Sequence, residues 1–148
     1  MKINIFVATT VLLLGTSASF ADQHVAWPAP EGASVYFINL ESGATVTSPV
    51  LIQMGLSGMG VAPAGTERES TGHHHLLIDR APMGEGEDDE WLYGLPSDEH
   101  HRHFGAGQTE LMLELDPGTH TLQLVLGDMN HVPFGEQMVS DVVTITVE

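Results

Sequence analysis

Leu111, Leu113 and Leu115 recur at every second position, and after the turn Asp116-Pro117-Gly118 the same spacing returns in Leu122, Leu124 and Leu126. Apolar residues two apart share one face of an extended strand, whereas a helix needs them three and four apart. Two such runs separated by a Pro-Gly turn read as two successive strands. The rest of the chain follows the same rule, and helical periodicity is nearly absent. Val35–Ile38 reads as a first strand, closed by the turn Glu41-Ser42-Gly43. Pro49–Leu56 reads as a second, with Pro49 tolerable at its start. His73–Asp79 makes a third, Gln108–Leu115 and Thr119–Leu126 two more, and Met138–Val147 the last. Residues 80 to 98 form a long acidic connection with Trp91 and Tyr93 and room for one further short strand. Six or seven short strands separated by turn signals predict an all-β, immunoglobulin-like antiparallel β-sandwich.

The first 21 residues read differently. Met1-Lys2, an apolar stretch from Ile3 to Leu14 and the small residues Ser19 and Ala21 predict a secretory signal peptide over 1–21, cleaved before Asp22. The apolar stretch is short for a membrane span, and no later segment is long enough to be one. This divides the chain into a signal (1–21), an N-terminal arm (22–33) and a sandwich domain (34–148), and predicts a soluble protein exported to the periplasm. Without Lys2, 20 acidic groups stand against Arg68, Arg80 and Arg102, a formal balance of −17. Such a chain repels nucleic acid and anionic membranes, which are bound by neutralising phosphate, and favours cations.

The chain has no cysteine. Disulfides, thiolate zinc sites, iron–sulfur clusters and cysteine nucleophiles are excluded, so any metal must be held by His, Met, carboxylate or backbone groups. Histidine is abundant: of nine, seven lie at His73-His74-His75, at His100, His101 and His103, and at His131. Imidazole is the commonest protein metal ligand. Strand alternation puts His73 and His75 on one face and His74 on the other. His101 and His103 repeat the spacing.

If the 80–98 connection holds a strand, alternation of direction brings the 73–75 group, the 100–103 group, Met59, Met129, His131 and Met138 to one end of the sandwich, and leaves His120 at the other. The candidate ligands are then His73, His75, His101, His103 and His131, with Met59, Met129 or Met138 as a soft additional donor. Thioethers select Cu(I), and imidazoles suit Cu(II) and Zn(II). Cleavage before Asp22 would also leave His24 in third position, where the amine, two amides and imidazole can enclose Cu(II) in a square plane.

These residues predict a copper-binding carrier or buffer that passes its ion to a periplasmic metalloprotein, with zinc as the alternative metal. Two other classes stay open. One is a metal-dependent enzyme with Asp79, Glu110 or Asp128 as base. The other is a metal-free interaction module in which the histidines and Arg102 form a structural or anion-binding network.

The segments Gly72-His73-His74-His75-Leu76-Leu77-Ile78-Asp79, His101-Arg102-His103-Phe104-Gly105-Ala106-Gly107-Gln108-Thr109-Glu110 and His120-Thr121-Leu122-Gln123-Leu124 through Gly127-Asp128-Met129-Asn130-His131-Val132-Pro133 resemble the signature of a family of small exported bacterial proteins with a domain of unknown function. The resemblance covers residues 34 to 147. It marks His73, His74, His75, His101, His103, His120 and His131 as matching positions and implies no activity. His24, His100 and the acidic run at 83–90 lie outside its motifs. In architecture alone the chain is also similar to periplasmic copper-carrier sandwiches that bind copper near an N-terminal histidine.

Overall fold

A computed structural model describes residues 27–86, 91, 94–95 and 97–148. The predicted signal peptide and His24 lie outside the described residues. The described residues form nine strands: β1 (Ser34–Phe37), β2 (Thr45–Val46), β3 (Val50–Ser57), β4 (Gly60–Val61), β5 (Thr71–Ile78), β6 (His101–His103), β7 (Glu110–Leu113), β8 (Gly118–Gly127) and β9 (Val143–Val147). The only helical element among the described residues is a single 3-10 turn at Glu136–Met138.

The strands form two sheets, as the alternation predicts. The smaller has the order β1-β3-β7 and is antiparallel throughout. The larger runs β2-β9-β8-β5-β4, with β6 also paired to β5. Its main ladders β5/β8, β8/β9 and β5/β6 are antiparallel, and the two-residue pairs β2/β9 and β4/β5 are parallel. The core between the sheets is built from Val35, Val50, Ile52, Met54 and Leu113 on one side and Leu76, Ile78, Leu122, Leu124, Leu126, Ile145 and Val147 on the other. The leucine triplet at 122, 124 and 126 is fully buried there, each residue removing about 1.5–3 kcal/mol worth of apolar surface from water.

The outer face of the larger sheet is also covered. Leu77 and Val125 point away from the main core into a second apolar cluster with Met83 and Leu95, against which Trp91 and Val139 pack. Gln123, beside them on that face, accepts a hydrogen bond from Met83 N at 2.8 Å and donates one to Ser140 O at 3.0 Å. The connection after β5 therefore folds back over the sheet, and β5 is sandwiched: its last six residues, His73 to Ile78, are all buried.

Two expectations need correction. No strand forms among the described residues of the 80–98 connection. The further strand expected there is instead the histidine segment itself, β6, hydrogen-bonded along β5. The last strand begins at Val143 rather than Met138, because the 3-10 turn at Glu136–Met138 takes up the first part of the predicted segment.

Candidate metal centre

Residues opposite one another on antiparallel neighbours share a face. On β5 and β6, His75 stands opposite His103 and Leu77 opposite His101; on β5 and β8, His73 stands opposite Gly127 and His75 opposite Val125. The outer face of the sheet thus gathers His73, His75, His101 and His103 in one patch. His74 takes the inner face opposite Leu126, where it is fully buried. The alternation expected along each His-x-His pair is observed, but the patch lies on a sheet face rather than on a ring of loops.

The fifth histidine arrives from the loop after β8. His131 has φ of 69°, a left-handed backbone that costs a non-glycine residue about 1 kcal/mol or more unless its surroundings enforce it. Here they do. The buried Asp128 carboxylate accepts hydrogen bonds from Asn130 N (2.8 Å) and Val132 N (3.0 Å), and Asp128 O accepts one from His131 N at 3.0 Å. From above, Leu95 N donates to His131 O at 3.1 Å, tying the overlying connection to the loop.

The result is a cluster of imidazoles, with the Asp128 carboxylate near enough to act on His73 electrostatically. His75 is at its centre: its Nε2 lies 3.1 Å from His73 Nε2, and its Nδ1 lies 2.9 Å from His101 Nε2. Ligand nitrogens of His73, His75 and His103 all fall within 4.8 Å of one another and could hold a metal ion. The ring of His131 packs 4.5 Å from His103, 5.0 Å from His73 and 5.9 Å from His75, centre to centre. The other separations among these four rings are 4.7, 4.9 and 5.2 Å.

Those distances can be compared with what an ion requires. With bonds of 2.0–2.1 Å, two imidazole nitrogens on one tetrahedral ion lie roughly 3.3 Å apart and the ring centres about 5 Å apart. A square plane would instead need both diagonals near roughly 6.3 Å. If His75–His131 at 5.9 Å is one diagonal, the other, His73–His103, is only 4.9 Å. The four ring centres are spaced as for a tetrahedral site, and the nitrogens of three of the rings, His73, His75 and His103, converge.

Burial keeps these rings in the neutral form. Burial, and then the neighbouring His103 and His131, lower the pKa of His73 from 6.5 to about 4. Burial, and then Arg80, lower that of His101 to about 4, against a smaller raising effect of Asp98. His75 is pushed far down by burial and by four surrounding imidazoles, and His103 is lowered by burial and His131. At neutral pH these rings are uncharged, the form in which imidazole binds a metal. His73 Nδ1, His101 Nδ1 and His103 Nε2 are buried with no hydrogen-bond partner among the described residues. Both ring nitrogens of His74, on the inner face, are likewise buried with no partner among the described residues.

Two glycines make room. A β-carbon on Gly127 would sit 2.6 Å from His75 Nε2, and one on Gly105 would sit 2.3 Å from His103 Cε1. Neither glycine was singled out from the sequence, although both lie inside the quoted motifs. Asp128 was considered there only as a base, and in the structure it braces the His131 loop.

The remaining candidates lie elsewhere. Met138 is fully buried in the main core, and Met59 packs against that core. Met129 is half-buried beside Trp27, Thr66, Arg68, Thr71 and Asp128. His120 stands at the far end of β8, with Nδ1 2.6 Å from Asp79 Oδ2 and Nε2 2.8 Å from Asp116 O. His74 neighbours the backbone of Gly55 and Gln108 without hydrogen-bond geometry to either, and burial lowers its pKa.

The family model for a domain of unknown function, DUF4399, matches residues 52–148. The chain belongs to this family. The matched span begins in β3 and takes in every histidine of the centre. Neither the curated proteins nor the solved structures give a match.

Proposed function

We propose that this protein binds one transition-metal ion through His73, His75 and His103, with His131 as the fourth imidazole, and that it carries or buffers copper in the periplasm. The observation that carries this reading is the convergence of three histidine nitrogens within 4.8 Å, two of them on fully buried rings. A set of neutral nitrogen donors suits the late first-row ions, and affinity within that series peaks at copper. Rings spaced for a tetrahedron do not impose the square plane of Cu(II), so the same site can keep Cu(I) as well. Two ligands, His73 and His75, are fully buried, and the other two, His103 and His131, are half-exposed. An ion held between them is anchored from below and approached from above, which suits transfer to a partner metalloprotein. Export to the periplasm rests on the sequence of residues 1–21. No helix among the described residues is long and apolar enough to cross a membrane.

Zinc is the second reading, favoured by the same tetrahedral spacing and by the placement of Met59 and Met138 in the apolar core rather than among the imidazoles. Titration of the metal-free protein with Cu(II), Cu(I) and Zn(II), each against a competing chelator, separates the two. The expected outcome is one ion per chain with copper displacing zinc. Zinc retained against equimolar copper would assign the site to zinc, and binding no tighter than micromolar for all three would overturn the metal reading.

A further inference from the structure

His101 belongs to the cluster by position but not by role. It is fully buried and, like His131, outside the triad whose nitrogens converge; but where the His131 ring packs against His73, His75 and His103, that of His101 packs against His75, at 5.0 Å between centres. Its backbone is fixed on both sides. It pairs with Leu77 on β5, and it exchanges hydrogen bonds with Asp98 at 3.1 and 3.3 Å. Leu77, Leu95 and Val125 belong to the apolar cluster on this face, and Arg80 and Asp98 are near enough to act on the ring electrostatically. A leucine would pack there at no polar cost, whereas an imidazole leaves a buried nitrogen unpaired.

The chemistry of His75 supplies the reason for an imidazole at this place. A neutral imidazole carries one hydrogen on one of two nitrogens. His73 and His75 face each other through their Nε2 atoms at 3.1 Å, so without metal one of these atoms holds the hydrogen that lies between them. An ion bound by both needs a lone pair on each. The hydrogen of His75 must then reside on Nδ1, and that N–H needs an acceptor in a region with no water-exposed alternative. His101 Nε2 is 2.9 Å away.

We propose that His101 is a positioning residue: its Nε2 accepts the Nδ1–H of His75 and thereby fixes the tautomer that turns the His75 lone pair toward the ion. The inference rests on the metal reading above. Protons are conserved in it, since each ring stays neutral and only the nitrogen carrying the hydrogen changes. Partners of this kind, hydrogen-bonded to the far nitrogen of a liganding histidine, typically change metal affinity by 10- to 100-fold.

The test compares His101→Gln, whose side-chain oxygen can still accept the bond, with His101→Phe, which fills the space without an acceptor. Cu(II) and Zn(II) affinities of the purified variants are measured by chelator competition, with circular dichroism as the folding control. Pulsed electron paramagnetic resonance of the Cu(II) forms counts the coupled imidazoles. The expected result is a 10- to 100-fold loss in His101→Phe, a loss below about threefold in His101→Gln, and the same number of coupled imidazoles in parent and Gln variant. Loss of one coupled imidazole in His101→Gln would overturn the proposal by making His101 a ligand. Equal affinities in parent and both variants would overturn it while leaving the metal site standing. A parent protein that binds neither ion would overturn the metal reading itself, and this assignment with it.

Discussion

Two histidine environments at opposite ends of β5 respond to protons in opposite ways. At one end, His120 meets the Asp79 carboxylate at 2.6 Å, and that hydrogen bond, with the Asp116 carbonyl, raises its pKa. Both ring nitrogens have acceptors, so the charged, doubly protonated ring is the one that fits. At the other end, His73, His75, His101 and His103 meet mainly one another, and burial lowers all four. The two ends are about 20 Å apart, six residues at some 3.3 Å each. The difference lies in what faces the ring. A carboxylate supplies the counter-charge and makes the histidine a structural cation. A set of imidazoles supplies lone pairs, and the counterpart that satisfies lone pairs is a cation from outside.

Acid gives the largest effect by which this contrast can be broken. His73 and His101, near 4 when folded and near 6.5 when unfolded, take up protons more readily in the unfolded chain. The stability they contribute is therefore present above pH 6.5 and lost as pH falls toward 4, on the order of 3 kcal/mol for each. His120 has the opposite sign: its contribution is fully present below pH 6.5 and fades as pH rises through its raised value. Urea unfolding of the metal-free protein between pH 5 and 8 should show falling stability on the acid side. A flat profile would mean that the cluster is not held neutral.

Removal of a central ring comes next. His75→Ala should lower Cu(II) or Zn(II) affinity at least 100-fold, about 3 kcal/mol, while His120→Ala leaves affinity and stoichiometry unchanged in the same titration. Comparable losses in the two variants would dissolve the distinction between the ends. Gly127→Ala sharpens it further without touching a ligand. The added methyl would displace His75, and a loss of about tenfold in affinity is expected, with a destabilisation of about 1–3 kcal/mol in thermal unfolding. The smallest effect belongs to His120→Gln, which removes a partly exposed ion pair worth about 1 kcal/mol or less, and does so more at pH 6 than at pH 8.

Much of the centre was legible from spacing alone. A period of two places His73 and His75 together and apart from His74, and the same arithmetic applies to His101 and His103. The two leucine triplets mark the inner faces of their strands for the same reason. What spacing cannot supply is the partner of a strand. The expectation placed the 100–103 group near 73–75 through an intervening strand, whereas the segment pairs with β5 directly, a contact some 25 residues distant in sequence. Nor does a methionine declare itself: a thioether suits a soft metal and fills a core equally well, and the structure puts Met59 and Met138 in apolar packing. Gly127 shows its value only once His75 is opposite a neighbouring strand position, and the left-handed turn at His131 follows from the Asp128 brace rather than from any local propensity.

The burial of β5 on both sides has a consequence for how the sequence can vary. His74, Leu76 and Ile78 serve the main core while His73, His75 and Leu77 serve the outer one, so each residue of the strand is committed to one of two interiors. A slip of the whole strand by one residue would exchange the two sets, sending His73 and His75 into the apolar core and Leu76 into the histidine cluster. No side of the strand faces water, where such an error would be harmless. The strand thus acts as a reading frame, in which the fold and the histidine cluster are kept or lost together.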